Sequence, residues 1–188
     1  IRIGILGDIG SGKSFVAKAF GYPVFNADYE VSKLYKKDKE IFIKLNKTLP
    51  KYIFKFPIDK NQITEAILSN KKNLKKIVNI IHKEIRKKMK LFLKKNKHKK
   101  IVILDIPLLL ENKINNKKDI LIFVDSKQKD IKKRLIKRKN FDQKLLIKFK
   151  KLQLSSLYKK RKSHFIIKND FKKKSVKNEI QNILKKIL

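Results

Sequence analysis

Residues Gly7-Asp8-Ile9-Gly10-Ser11-Gly12-Lys13-Ser14 carry glycines, a lysine and a hydroxyl at the spacing G-x-x-x-x-G-K-[ST]. Glycine admits positive φ, so this backbone can curl and turn its amides inward as a nest for an anion. A helix starting near Lys13 adds the partial positive charge of its first turn. Lys13 has the reach for the β and γ phosphates of a nucleotide, and the Ser14 hydroxyl can ligate Mg²⁺. The chemistry is therefore binding and transfer of a phosphoryl group. A glycine-rich turn that binds nothing is the rival reading. It is disfavoured because a strand-like run precedes the loop and a helical run follows it. All five glycines of the chain fall between Gly4 and Gly21, where a cradle of this kind needs them.

Two carboxylates can complete such a site. Asp28 follows the run "PVFNAD" and is expected at the end of a second strand, where open α/β sheets place their ligands. It could take a proton from an attacking hydroxyl or hold metal-bound water. It could equally be the N-cap of a helix beginning near Tyr29. Asp105 follows "IVIL" and could hold Mg²⁺ through water, or be a plain loop carboxylate.

These groups need a scaffold. "IRIGIL" predicts a strand, "KSFVAKAF" a helix and "PVFNAD" a short second strand, an order that suggests a parallel sheet with right-handed crossovers. From Tyr29 to Lys97 four runs have amphipathic helical spacing, punctuated by Pro50 and Pro57. "KIVILDIPLLLE" and "DILIFVDS" predict buried strands. "KQKDIKKRLIKRK" predicts a helix and "FDQKLLIKFKKLQLSSLYKKRK" a second helical stretch. "SHFIIKN" predicts a last strand and "KSVKNEIQNILKKIL" a closing helix.

The 188 residues suit one domain with a lobe inserted, and 41% hydrophobic residues can supply its core. Without cysteine there is no disulfide framework and no thiolate metal site. With neither a leader pattern nor an apolar run long enough to span a bilayer, a soluble cytoplasmic protein is expected, with no membrane partner. The net charge of +36 invites a nucleic-acid reading. Yet only five of the 52 basic residues are arginines: Arg2, Arg86, Arg134, Arg138 and Arg161. Base-edge readers favour the planar guanidinium. The first thirty residues, which hold the loop, are neutral overall. Compositional drift therefore explains the lysines better, and no dedicated nucleic-acid partner is expected.

"IGILGDIGSGKSFVAKAF", "PVFNAD" and "LDIPLLLE" together resemble the dephospho-coenzyme A kinase family. The Pro107-Leu108-Leu109-x-Glu111 stretch separates that family from other P-loop small-molecule kinases. The resemblance runs along most of the chain. It includes His82, Arg134 and Arg138 in "KKRLIKR", Gln153 and Asn169. It implies transfer of the γ-phosphate of ATP, with Mg²⁺, to the 3′-hydroxyl of the ribose of dephospho-coenzyme A. It makes Asp28 the catalytic base, with Lys13 and Arg138 on the ATP phosphates. Gly7, Ile9, Gly10, Ser11, Gly12, Lys13, Ser14 and Phe15 would line the nucleotide, with Asn169 near the adenine. His82, Pro107, Leu108 and Glu111 would help shape the acceptor site, and Ser14 and Asp105 the metal site.

The chain departs from the family pattern at several positions. Leu6-Gly7-Asp8 replaces Thr-Gly-Gly, and Asn26 replaces the first aspartate of Asp-Ala-Asp. Lys83 replaces a proline, Lys159 a lid arginine and Phe171 a glycine. A carboxylate at Asp8 is unfavourable beside phosphates unless it points to solvent or to the metal shell.

The expected architecture is a three-layer α/β fold of the P-loop type, with a parallel sheet of about five strands. Residues 1–28, 98–137 and 163–188 would form the core, 29–97 a helical acceptor lobe and 138–162 a lid. A monomer or weak homo-oligomer is expected. The rival functions are another small-molecule or nucleotide P-loop kinase and a basic nucleic-acid-associated ATPase. An inactive relative is a third reading, kept open by Asp8 and Phe171.

Overall fold

The computed structural model describes residues 1–137 and 141–188. Arg138 lies outside the described residues. The chain divides into two compact units. One comprises Ile1–Asn26, Asn96–Asp142 and Lys148–Leu188; the other comprises Ala27–Lys95 and Gln143–Ile147.

The first unit is built on a parallel sheet with five strands among the described residues. They are β1 (Arg2–Gly7), β2 (Val24–Asn26), β3 (Val102–Asp105), β4 (Ile120–Asp125) and β5 (Phe165–Lys168), in the order β2-β3-β1-β4-β5. Strand β1 alternates with period two, as the pleat requires. Ile3 and Ile5 face a cluster with Ile103, Ile122, Val124 and Ile167. That face is covered by α1 (Lys13–Ala19), through Val16 and Ala17, and by α9 (Lys173–Ile187), through Val176, Ile180 and Ile183. Gly4 and Leu6 face the other way. A Cβ on Gly4 would lie 2.5 Å from Leu109 and 2.9 Å from Leu121, so these side chains pack directly on the strand backbone. On this side lie α6 (Gln128–Ile136) and α8 (Ser156–Lys162). Ile131 and Leu135 of α6 close on Gly10, and the Lys160 ammonium of α8 lies 5.5 Å from the Phe123 ring centroid.

The helical unit contains α2 (Ala27–Lys37), α3 (Lys39–Thr48), α4 (Lys60–Ser69) and α5 (Lys71–Lys95). Helix α5 is its spine. Leu74, Ile77, Ile81, Ile85 and Met89 recur at three- and four-residue spacing and are all buried. Each such side chain contributes about 1.5–3 kcal/mol of hydrophobic stabilisation. The side chains of Asp38 and Asp59 cap α3 and α4, accepting from Ile41 N at 3.0 Å and Gln62 N at 2.8 Å. Lys83 is an exposed interior residue of α5. A proline there would remove a helical hydrogen bond and clash with the preceding turn. The lysine lets 25 residues run as one helix.

Two local expectations change. Strand β2 pairs with β3 through only three residues, and the chain turns helical at Ala27. Asp28 is therefore inside the first turn of α2, neither at a strand end nor at an N-cap. Acidic side chains are favoured there by the helix dipole. The second helical stretch is also two helices, α7 (Gln143–Lys150) and α8. The break falls at "LQLSS", where Ser155 caps α8 by accepting from Tyr158 N at 3.2 Å.

Candidate active site

The loop from Gly7 to Ser14 joins the carboxyl end of β1 to the start of α1. Gly10 and Gly12 both hold φ 88°, in the left-handed region that favours glycine. Gly12 is the N-cap of α1 and has no side chain with which to cap it, so the first turn opens toward the loop. The Lys13 ammonium folds back over the loop, donating to Gly7 O at 3.1 Å and Asp8 O at 2.8 Å. Ser11 contributes through its main chain. Its hydroxyl is buried without a hydrogen-bond partner among the described residues, while its carbonyl accepts from Ser126 Oγ and Asn169 Nδ2, each at 2.8 Å.

A second cluster adjoins the loop. Asn26 and Asp105 are register partners at the ends of β2 and β3. Asn26 Nδ2 donates to Asp105 Oδ2 at 2.5 Å and to Ser14 Oγ at 3.4 Å. A buried carboxylate, a side-chain amide and a hydroxyl thus converge. The carboxylate and hydroxyl oxygens of this cluster fit Mg²⁺, which binds through one or two carboxylates plus phosphates and keeps several waters, while the amide N–H groups orient them. Among the described residues there is no group of three or more histidine, cysteine or acidic side chains to cage a metal.

The loop is braced from three directions. The buried Asn169 side chain donates to Ser11 O and accepts from Phe171 N at 2.9 Å. Phe171 takes φ 64° and stacks under the Arg134 guanidinium, 4.1 Å from its ring centroid. A Cβ on Gly12 would fall 2.4 Å from Asn169 Nδ2 and 3.0 Å from the Phe171 ring. Asp8, the residue most at odds with an anion cradle, points neither to solvent alone nor to the Ser14–Asp105 cluster. Its two carboxylate oxygens accept from Ser156 Oγ, each at 2.7 Å, and Oδ1 lies 3.4 Å from Lys159 Nζ. Lys159 is not a solvent-facing lid cation; it is buried.

The Pro107–Glu111 stretch is a turn after β3. Leu109 is fully buried, Glu111 Oε1 accepts from Leu154 N at 2.9 Å, and Gln153 Nε2 donates to Pro107 O at 3.5 Å. The residues expected at the acceptor are thereby tied to the segment between α7 and α8. Asp28 and His82 belong to the helical unit. Asp28 is exposed. His82 is half-buried on α5, and burial, then the Arg86 charge, lowers its pKa from 6.5.

The family model of dephospho-CoA kinase matches residues 1–175. The chain belongs to the dephospho-CoA kinase family. A dephospho-CoA kinase of Wolbachia pipientis wMel is 34% identical over 187 residues, covering 97% of this chain and 95% of the relative. A crystal structure of TT1252 from Thermus thermophilus superposes with a TM-score of 0.76 at 23% identity, covering 100% and 98% of the two chains. The structure of dephospho-CoA kinase from Campylobacter jejuni gives 0.64 at 22% identity, with 99% and 96% covered. These likenesses show the α/β P-loop kinase fold. As a dephospho-CoA kinase, the enzyme uses ATP to phosphorylate dephospho-CoA in coenzyme A biosynthesis.

Two features escaped the reading of individual residues: the Asp8–Ser156–Lys159 cluster and the role of Asn26 toward Asp105. Each was signalled only as a departure from the family pattern.

Proposed function

We propose that the Gly7–Ser14 loop cradles the phosphates of ATP, and that Asp28 readies the 3′-hydroxyl of the dephospho-CoA ribose for attack on the γ-phosphorus. The observation that carries this reading is the Lys13 ammonium. It is folded over the loop at the head of α1 and held by Gly7 O and Asp8 O. There it can neutralise charge on the β and γ phosphates.

Ser14 Oγ and the Asp105 carboxylate would hold Mg²⁺, with Asn26 orienting the carboxylate. Bound there, the cation would offset charge that develops on the transferred phosphoryl group. Asp28 follows Asn26 by two residues, so covalent reach keeps their Cα atoms within about 7 Å. Its carboxylate would accept the hydroxyl proton as the ribose oxygen bonds to phosphorus and the bond to the β-phosphate oxygen breaks. Phosphoryl transfer leaves the protein mainly positioning and charge neutralisation to perform, and these residues suffice for both. Asn169 and Phe171, braced on the loop, would border the adenine. His82, with Pro107, Leu108 and Glu111, would shape the acceptor site, and Arg138 would reach the ATP phosphates from a lid over 138–162. The enzyme would work in the cytoplasm as a monomer or weak homo-oligomer, without a dedicated nucleic-acid partner.

A coupled assay with ATP, Mg²⁺ and dephospho-CoA, run beside nucleoside monophosphates, tests the reading. Lys13→Ala is expected to weaken ATP binding and slow turnover together. Unchanged kinetics in that variant would remove the loop from the mechanism.

A further inference from the structure

The Lys159 side chain is 2% exposed. Burying an ammonium is costly unless charge and hydrogen bonds compensate it. Its partners are Gly7 O, Gln153 Oε1 and Asp8 Oδ1, each at 3.4 Å. Asp8 supplies the one full negative charge among these three. Gly7 O also accepts from Lys13 Nζ, so the two ammonium groups converge on one carbonyl at the mouth of the loop. The Asp8 carboxylate further accepts from Ser156 Oγ through both oxygens and from Gln128 Nε2 at 3.5 Å. Ser156 and Lys159 lie one turn apart on α8, so a single carboxylate fastens that helix to the loop.

We propose that Asp8 is a positioning residue for Lys159. Its carboxylate holds α8 on the loop in the role that a nucleotide phosphate takes over when nucleotide binds. This rests on the reading that the loop binds ATP. A phosphate on the Lys13 side of Gly7 presents more charge than one carboxylate, so it can draw the neighbouring Lys159 ammonium to itself. The helix then stays fastened while its anionic partner changes.

Hydrogen exchange over residues 156–162 of the full chain, with and without ADP, tests this. Without ADP, Asp8→Asn is expected to speed exchange in α8 about tenfold, the scale of one lost hydrogen bond to a charged group. ADP is expected to restore protection in Asp8→Asn but not in Lys159→Gln. A merely structural role for Asp8 would leave the loosened helix loose after ADP. That outcome, or unchanged α8 exchange in nucleotide-free Asp8→Asn, overturns the proposal. Asp8→Ser serves as the second variant should Asp8→Asn fail to fold. Calorimetric titration of the wild type with ADP separates the two readings. If it binds no better than Lys13→Ala, the loop reading fails. If binding is normal, the exchange pattern bears on Asp8 alone.

Discussion

The Asn26 amide and the Asp105 carboxylate meet at 2.5 Å, as register partners on adjacent strands beside the Ser14 hydroxyl. The amide donates a proton that no carboxylate could supply at that position. An aspartate at 26 would set two anions face to face, and one would have to take up a proton or be held by a cation. Asn26→Asp is therefore expected to lower the melting temperature by about 4 °C in EDTA, the scale of 1–2 kcal/mol in a chain of this size. Mg²⁺ should recover more of that loss in the variant than it adds to the wild type. Equal melting temperatures in EDTA would show that the pair carries no electrostatic constraint.

Two glycines with the same backbone need give different outcomes. Gly12 and Gly21 both hold positive φ, 88° and 74°. A Cβ on Gly12 would meet Asn169 Nδ2 at 2.4 Å, whereas a Cβ on Gly21 would meet nothing within 4 Å among the described residues beyond its chain neighbours. Gly21→Ala should cost about 1–2 kcal/mol of stability, the left-handed penalty alone, and leave KM and kcat unchanged. Gly12→Ala should also push the Asn169 brace off the loop and raise KM for ATP more than about tenfold, which requires only 1.4 kcal/mol. Comparable kinetics in the two variants would show that the Asn169 contact does not shape the loop.

The legibility of this chain followed the range of the physics involved. The loop, its strand and its helix were readable because Gly7, Gly10, Gly12 and Lys13 act through local backbone conformation. The helices of residues 27–95 were readable because Leu74, Ile77, Ile81, Ile85 and Met89 keep one period over about four turns. Asp28 was misplaced by a residue or two because Asn26-Ala27-Asp28 holds no breaker, so the end of β2 is set by its pairing with β3. The break between α7 and α8 was missed because Leu152 and Leu154 continue the apolar spacing while Ser155 quietly caps a new helix. The Asp8–Lys159 contact joins residues 151 positions apart, and no local pattern reports such a pair.

Stability should fall with acid through His82. Its folded pKa lies below the ordinary 6.5, chiefly from burial and then from the Arg86 charge. The unfolded chain therefore binds the proton more readily than the folded one. The His82 contribution is present in full above pH 6.5 and is lost as pH falls through the lowered folded value. Chemical denaturation between about pH 7.5 and about pH 5.5 should show a smaller loss for His82→Gln than for the wild type. Equal slopes would mean that other groups carry the acid sensitivity.

Asp28→Asn separates binding from chemistry. Asparagine keeps the shape of the side chain in the first turn of α2 but cannot accept the ribose proton. The ATP phosphates are expected to be held mainly by the Gly7–Ser14 loop, so ATP affinity measured by titration should hold within about twofold, or 0.4 kcal/mol. Turnover with dephospho-CoA should fall by about 100- to 10,000-fold, the usual contribution of a general base. The loss should appear in kcat more than in KM for ATP, because the proton is transferred only as the phosphoryl group moves. Ordinary turnover in the variant would reduce Asp28 to an acidic residue favoured by the dipole of α2, and the base would have to be sought elsewhere.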